Sequence, residues 1–300
     1  MEPAQPETRV RELKSARTRE RVWFGVLVAT TLLVGACDNV VGVPEDANRP
    51  ARHTTPPAAI PALTQTPTTS APATSTRRQV PLDAPPVGAL PGRDSGPAGL
   101  QLWAADLQTD SITELQAKCW TIAPKNVADM YQDKPAILAA LAQPGAVTED
   151  GLVWKYRGTT VVADPNTISW GYTCPRVYPA GTDIGYNEAD ARHAVRRYLS
   201  RFVGTPLDPA DQEGHYPLIC GAASWDPTGS GKPIEPPLAN NPGKLTGVTK
   251  FADQEIRSER LRQDYVSVQV PVTNAAGVTQ TRTFTLAETA HGYCIGDVSS

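Results

Sequence analysis

Between Pro44 and Pro97 the chain carries twelve of its 29 prolines and no Phe, Trp or Tyr. Runs such as TTPPAAIPALTQTPTTSAPATSTRR cannot bury enough apolar surface to offset the entropy lost on ordering, so this stretch reads as a disordered, extended spacer. The same Thr/Pro composition in an exported protein is also that of an O-glycosylated stalk. Folding is thereby confined to about 200 residues from Leu100 onward, ample for a real core. A net charge of −3 and a pI near 5.9 exclude a dedicated nucleic-acid binder, which carries a basic excess. Five cysteines in 300 residues are too sparse for a disulfide-dense miniature scaffold.

Residues 1–21 hold six basic and four acidic side chains, and the fifteen residues Val22–Ala36 are uncharged and mostly apolar. Fifteen residues make about 22 Å of helix, short of the ~30 Å hydrocarbon core. A basic lead, a short apolar core and small residues before a break are the parts of an export signal. Val34-Gly35-Ala36-Cys37 resembles the lipobox of bacterial, actinobacterial-type lipoproteins. The resemblance implies that Cys37 takes a diacylglyceryl group, that residues 1–36 are removed, and that further acylation (palmitate) completes a durable anchor, each buried methylene contributing ~0.8 kcal/mol. An uncleaved single-pass anchor with an inert Cys37 is the alternative. A span lengthened to Val43 would place Asp38 near mid-bilayer at ~2.5–3.5 kcal/mol, whereas the 21-residue lead is long for a lipoprotein signal. Both readings put residues 38–300 on the extracytoplasmic side of the cell membrane.

The expected layout is a signal peptide or anchor at 1–36, a Pro/Thr-rich tether at 37–99, an N-terminal helix and hairpin segment at 100–180, and a C-terminal helix plus β-meander at 181–300. Ser111 and Glu114 have the spacing of a capping box. Pro124 and Pro135 suit first helical turns, predicting short helices near 125–131 and 135–142. Leu152–Val162 reads as a hairpin about Gly158, with a third strand at 167–173. In the clearest helix, 187–203, Asn187 caps the start, Asp190 sits at the third position and Gly204 follows the end. Ala191, Val195, Tyr198 and Phe202 form its apolar face, and Arg192, Arg196, Arg197 and Arg201 are expected to form a solvated one. Segment 248–262 fits neither period, whereas Tyr265–Val272, Val278–Leu286 and Tyr293–Val298 alternate as strands around a turn at Asn274–Gly277. The fold class expected is α+β: helices packed on antiparallel sheet.

The ending TFTLAETAHGYCIGDV, with the helix before it, resembles the nuclear-transport-factor-2-like (cystatin-like) domains of exported actinobacterial proteins. The resemblance covers residues 187–298, leaves 100–175 aside, and departs from the family in the insertion at 205–247. With Cys37 assigned to the anchor, Cys119, Cys174, Cys220 and Cys294 remain, an even number for an oxidising compartment. Three connectivities are open to them; Cys119–Cys174 with Cys220–Cys294 is the expected set, stapling each segment by itself.

The chemistry-bearing motifs are weak. Gly92–Pro97 (GRDSGP) looks like a protease nucleophile segment, but the histidine upstream is His53, in the spacer. Gly229-Ser230-Gly231-Lys232-Pro233 looks like a phosphate loop, but Asp226 stands where its first Gly belongs and Pro233 where Ser or Thr belongs. Asp211-x-Glu213-x-His215 has metal-ligand spacing and is equally explained as polar loop. His193 and His291 stand singly. Trp103, Trp120, Trp154, Trp170 and Trp225 are core candidates; any on the exterior would mark a partner or glycan surface. No catalytic residue, cofactor or metal is therefore expected. The sequence reads as a non-enzymatic envelope lipoprotein, attached to the membrane through a lipid or a single span, with an envelope protein, glycan or small apolar ligand as partner and no nucleic acid. The alternatives are a bitopic assembly subunit of a type IV secretion or conjugation machine and a cell-wall-modifying enzyme.

Overall fold

The computed structural model describes residues 78–169, 171–221 and 224–299; the signal segment 1–36, Cys37, the tether as far as residue 77 and Trp170 lie outside the described residues. Its first half contains α1 (Ala98–Thr109), α2 (Ile112–Lys118), α3 (Pro124–Met130), α4 (Lys134–Leu141), β1 (Ala146–Thr148), β2 (Gly151–Tyr156), β3 (Thr159–Ala163), α5 (Pro165–Ile168) and β4 (Arg176–Pro179). The four strands form one antiparallel sheet in the order β1-β2-β3-β4. The capping box of α2 is present, with the Ser111 hydroxyl accepting from Glu114 N–H and the Glu114 carboxylate accepting from Ser111 N–H. Prolines open α3 and α4 in the first turn, where a missing N–H costs nothing. Trp103, Leu107, Leu115, Tyr131, Leu141, Trp154 and Val161 are buried together, Trp103 meeting Tyr131 edge-on with ring centroids 5.0 Å apart.

Three expectations for this half change. Packed chain begins before Leu100, because Val87 and Leu90 belong to the core. Trp154 Nε1 donates to Gly88 O at 3.0 Å, and Gly88 approaches the end of α4 so closely that a Cβ would lie 1.7 Å from Gln143 O. Two apolar residues set among prolines need no core of their own when they dock on one supplied by α1 and α4. The described residues of 167–173, where a strand was expected, form none. Asp164 accepts from Asn166 N–H and Pro165 starts a helical turn, and pairing resumes only at β4, where Val161 faces Val177. Helix α1, unmarked in the sequence reading, follows Pro97 with no side-chain cap.

The second half contains α6 (Glu188–Phe202), α7 (Pro237–Asn240), β5 (Val248–Phe251), β6 (Arg257–Arg262), β7 (Tyr265–Asn274), β8 (Thr279–Thr289) and β9 (Gly292–Ser299). Strands β7, β8 and β9 are the expected meander, and β5 and β6 both pair with β7. The ambiguous segment 248–262 is thus two strands, broken by a 3-10 turn at Asp253–Glu255, which is why it follows no single period. Helix α6 starts on the Asn187–Asp190 capping box and is followed by Gly204 at φ 81°, a left-handed conformation that glycine adopts without strain. Ala191, Val195, Tyr198 and Leu199 pack with Val266, Val268, Val270, Phe284, Leu286 and Ile295 into a second core. Trp225 meets Tyr265 edge-on at 5.2 Å and lies over Gly296, where a Cβ would come within 2.2 Å of its ring.

The fold is α+β with antiparallel sheets and two disulfides, Cys119–Cys174 and Cys220–Cys294. Among the described residues no helix is long and apolar enough to cross a membrane.

Candidate functional site

The two apolar cores share no residue; between the halves, α6 makes a set of polar contacts. Arg176 of β4 donates to both carboxylate oxygens of Asp190, at 3.1 and 2.7 Å. The side-chain amides of Asn126 and Asn187 exchange hydrogen bonds of 3.1 Å. His193 Nε2 lies 2.7 Å from Trp120 O, and the Arg197 guanidinium stands 5.1 Å from the centre of the Trp120 ring. Burial pushes the His193 imidazole down to about 4 despite its bond to Trp120, with the positive charges of Arg197 and Arg196 acting in the same direction.

The arginines of α6 are not a solvated face. Arg197, 7 % exposed, donates to Asp211 through Nε at 3.2 Å and Nη2 at 2.6 Å. Arg201 also bonds Asp211, together with Glu213 at 2.7 Å and Tyr216 O at 2.6 Å. Arg196 pairs with Asp253 and Arg192 with Ser258. Helical spacing shows which arginines lie together but not that the loop 205–217 folds back over them. The same geometry resolves the Asp211-x-Glu213-x-His215 spacing: Asp211 and Glu213 face arginines, and among the described residues no group of three His, Cys, Asp or Glu is placed to hold a metal. Burial disfavours the Asp211 carboxylate charge, but hydrogen bonds from Arg197 and Arg201 outweigh it and hold its pKa below the usual range. Glu213 Oε1 further accepts from Leu218 and Ile219 N–H, both at 2.8 Å, so the loop is pinned at its middle and at its C-terminal end.

Pinned there, the loop forms one wall of a cleft against the first half. A pocket of about 410 Å³ is lined by Arg78, Lys118, Trp120, Tyr172, Asp208 and Tyr216 among others. A second of about 360 Å³ includes Asp164, Asn166, Arg176, Arg197, His215 and His291. Thr121, Thr167, Cys174 and Tyr216 line both, so the two are one elongated cleft with the first disulfide in its wall. Trp120 and Tyr216 meet edge to face, ring centroids 4.8 Å apart. Arg78 donates to both oxygens of Asp106, at 2.8 and 2.5 Å, and Lys118 bridges Asp106 and Asp110 at 2.8 and 2.6 Å. Burial would raise the Asp106 pKa, yet the bonds from Arg78 and Lys118 bring it down to about 2. At the opposite end His291 Nδ1 lies 3.4 Å from Asp164.

Of the residues singled out from sequence, Trp120, Asp211 and His215 meet at or behind the cleft, whereas Trp103, Trp154 and Trp225 are interior. Asp226 accepts from Ser230 N–H at 2.9 Å and Gly231 N–H at 2.8 Å, so its own carboxylate occupies the turn in which a phosphate loop would hold its ligand. Tyr172, Tyr216 and Arg176 were not anticipated, and Asp190 was expected only at the start of the helix, not as the partner of Arg176. The one local hint is that aromatics flank half-cystines, as in Cys119-Trp120 and Tyr172-x-Cys174. In comparisons with known proteins, no family model, curated protein or solved structure matches this chain.

Proposed function

We propose that this chain is a cell-envelope lipoprotein, acylated at Cys37 after removal of residues 1–36, whose folded module binds a partner and performs no catalysis. The observation that carries the anchor is Val34-Gly35-Ala36-Cys37 closing a short apolar core and followed at once by Asp38. Support comes from Cys119–Cys174 and Cys220–Cys294, bonds that persist in oxidising compartments. The cleft supports a binding role, since its described lysine and arginine side chains, Arg78, Lys118, Arg176 and Arg197, are each ion-paired, an arrangement that holds a shape. Metabolic labelling of growing cells with an alkyne palmitate tests the anchor. The parent protein takes up label and loses residues 1–36, and Cys37→Ala does neither.

A second reading is a bitopic assembly subunit of a type IV secretion or conjugation machine. The 21-residue basic lead favours it, as does the helix α6 laid on the β5–β9 sheet, which suits the nuclear-transport-factor-2-like resemblance. An unlabelled protein that retains its N-terminus decides for this reading and against the lipoprotein. The cell-wall-modifying enzyme has no observation in its favour.

A further inference from the structure

We propose that the cleft between the halves binds a neutral, linear oligosaccharide, with sugar rings against Trp120, Tyr172 and Tyr216 and hydroxyls bonded by Thr121, Asn166 and Thr167. The inference rests on the reading of the module as an envelope binding protein and names its ligand class.

Charge narrows the class first. Among the described residues, each lysine and arginine lining the cleft has a carboxylate partner: Arg78 and Lys118 share Asp106, Arg176 holds Asp190, and Arg197 holds Asp211. Asp164 and Asp208 also line it. A phosphate, nucleotide or acidic polymer would have to displace one of these pairs and face those carboxylates, so the cleft suits an uncharged ligand. Surface chemistry narrows it again. Among the described residues, aliphatic groups enter the lining through Val162, Ala210 and Pro217 alone, too few to hold an acyl chain. Aromatic rings stand beside hydroxyl and amide side chains instead. A pyranose requires that combination, because its C–H face is apolar and its rim carries hydroxyls that must be hydrogen-bonded once desolvated.

Shape and rigidity complete the case. Two pockets of about 410 and 360 Å³ in series, joined at Thr121, Thr167 and Tyr216, fit a ligand of several like units better than one compact molecule. Arg197 stands over the Trp120 ring at 5.1 Å and Tyr216 abuts it at 4.8 Å, so Trp120 is oriented before any ligand arrives and little side-chain entropy is lost on binding.

The test is isothermal titration of the full-length protein, in micelles of a detergent without a sugar headgroup, against cellohexaose, chitohexaose, mannohexaose and maltohexaose. Inorganic phosphate and a neutral hexapeptide complete the panel. At least one hexasaccharide should bind. Trp120→Ala should weaken it by about tenfold or more, and Trp120→Phe should recover most of the loss, as a stacking role requires. Should Trp120→Ala alter the thermal transition, Asn166→Ala decides: its side chain is exposed, and it should weaken binding severalfold with an unchanged melting temperature. The proposal is overturned if no hexasaccharide binds, if phosphate or the hexapeptide binds in their place, or if well-folded variants bind as the parent does. Saccharide binding does not depend on acylation, and palmitate labelling does not depend on the cleft. Failure of the one assay therefore leaves the other intact, and each reading falls by itself.

Discussion

The interior of the first half and the seam beside it are built from opposite materials. Trp103, Tyr131, Trp154 and Leu141 are wholly withdrawn from water and held by contacts without strong directional preference. A few residues away, the seam joins Arg176 to Asp190, Asn126 to Asn187, and His193 and Arg197 to Trp120. Apolar burial keeps each half folded and tolerates small adjustments of side chains. The seam contributes little net stability, since its charges lose hydration, but its fork-shaped hydrogen bonds accept one orientation of the halves. Stability and cleft geometry are thus assigned to different residues, and substitutions can separate them.

The largest expected effect lies in the core. Trp154→Ala should remove about 4 kcal/mol, through a cavity and the lost bond to Gly88 O; denaturant unfolding that shows under about 1 kcal/mol would contradict the central placement of this ring. Asp211→Ala comes next, at about 3 kcal/mol, because it strands Arg197 and Arg201 without their partner. Replacing both arginines by Met in the same chain should recover a large part of that loss, which double-mutant analysis of unfolding would measure. The third effect is a pH dependence. The folded His193 imidazole lies at about 4, below its ordinary 6.5, so between these values the unfolded chain binds the extra proton. Stability from this group is complete above pH 6.5 and is lost as pH falls toward 4, amounting to about 3 kcal/mol. His193→Gln should flatten that slope in equilibrium unfolding. An unchanged slope would mean that the seam does not titrate through this ring.

What was legible in the sequence follows the same division. Helix α6 and strands β7–β9 carry their own signals: a capping box, a terminal glycine and strict alternation. The two disulfides each lie within one half, Cys119–Cys174 in the first and Cys220–Cys294 in the second. Helix α1 was not legible, since Pro97 provides no cap and its buried positions run almost without interruption from Gly99 to Leu107, which obscures the helical period. Averaging composition over 44–97 hid Val87 and Leu90. The cleft could not be read at all. Arg78, Trp120, Tyr172, Asp208 and His291 come from five distant stretches of chain, and only tertiary folding brings them together. For the arginines of α6 the sequence revealed the face but not its cover, because loop 205–217 folds back through contacts that no local spacing encodes.

The disulfides have a consequence for the order of events. Along the chain Cys119 meets Cys174, the next cysteine among the described residues, before Cys220 is reached, and Cys220 then meets Cys294. For a chain that reaches an oxidising compartment N-terminus first with Cys37 acylated, the nearest available thiol is the right one at each step. Neither bond has to wait for the other or be undone to let it form. In such a chain the first half can be oxidised and complete while the second is still in transit, and passage through a narrow channel poses no shuffling problem.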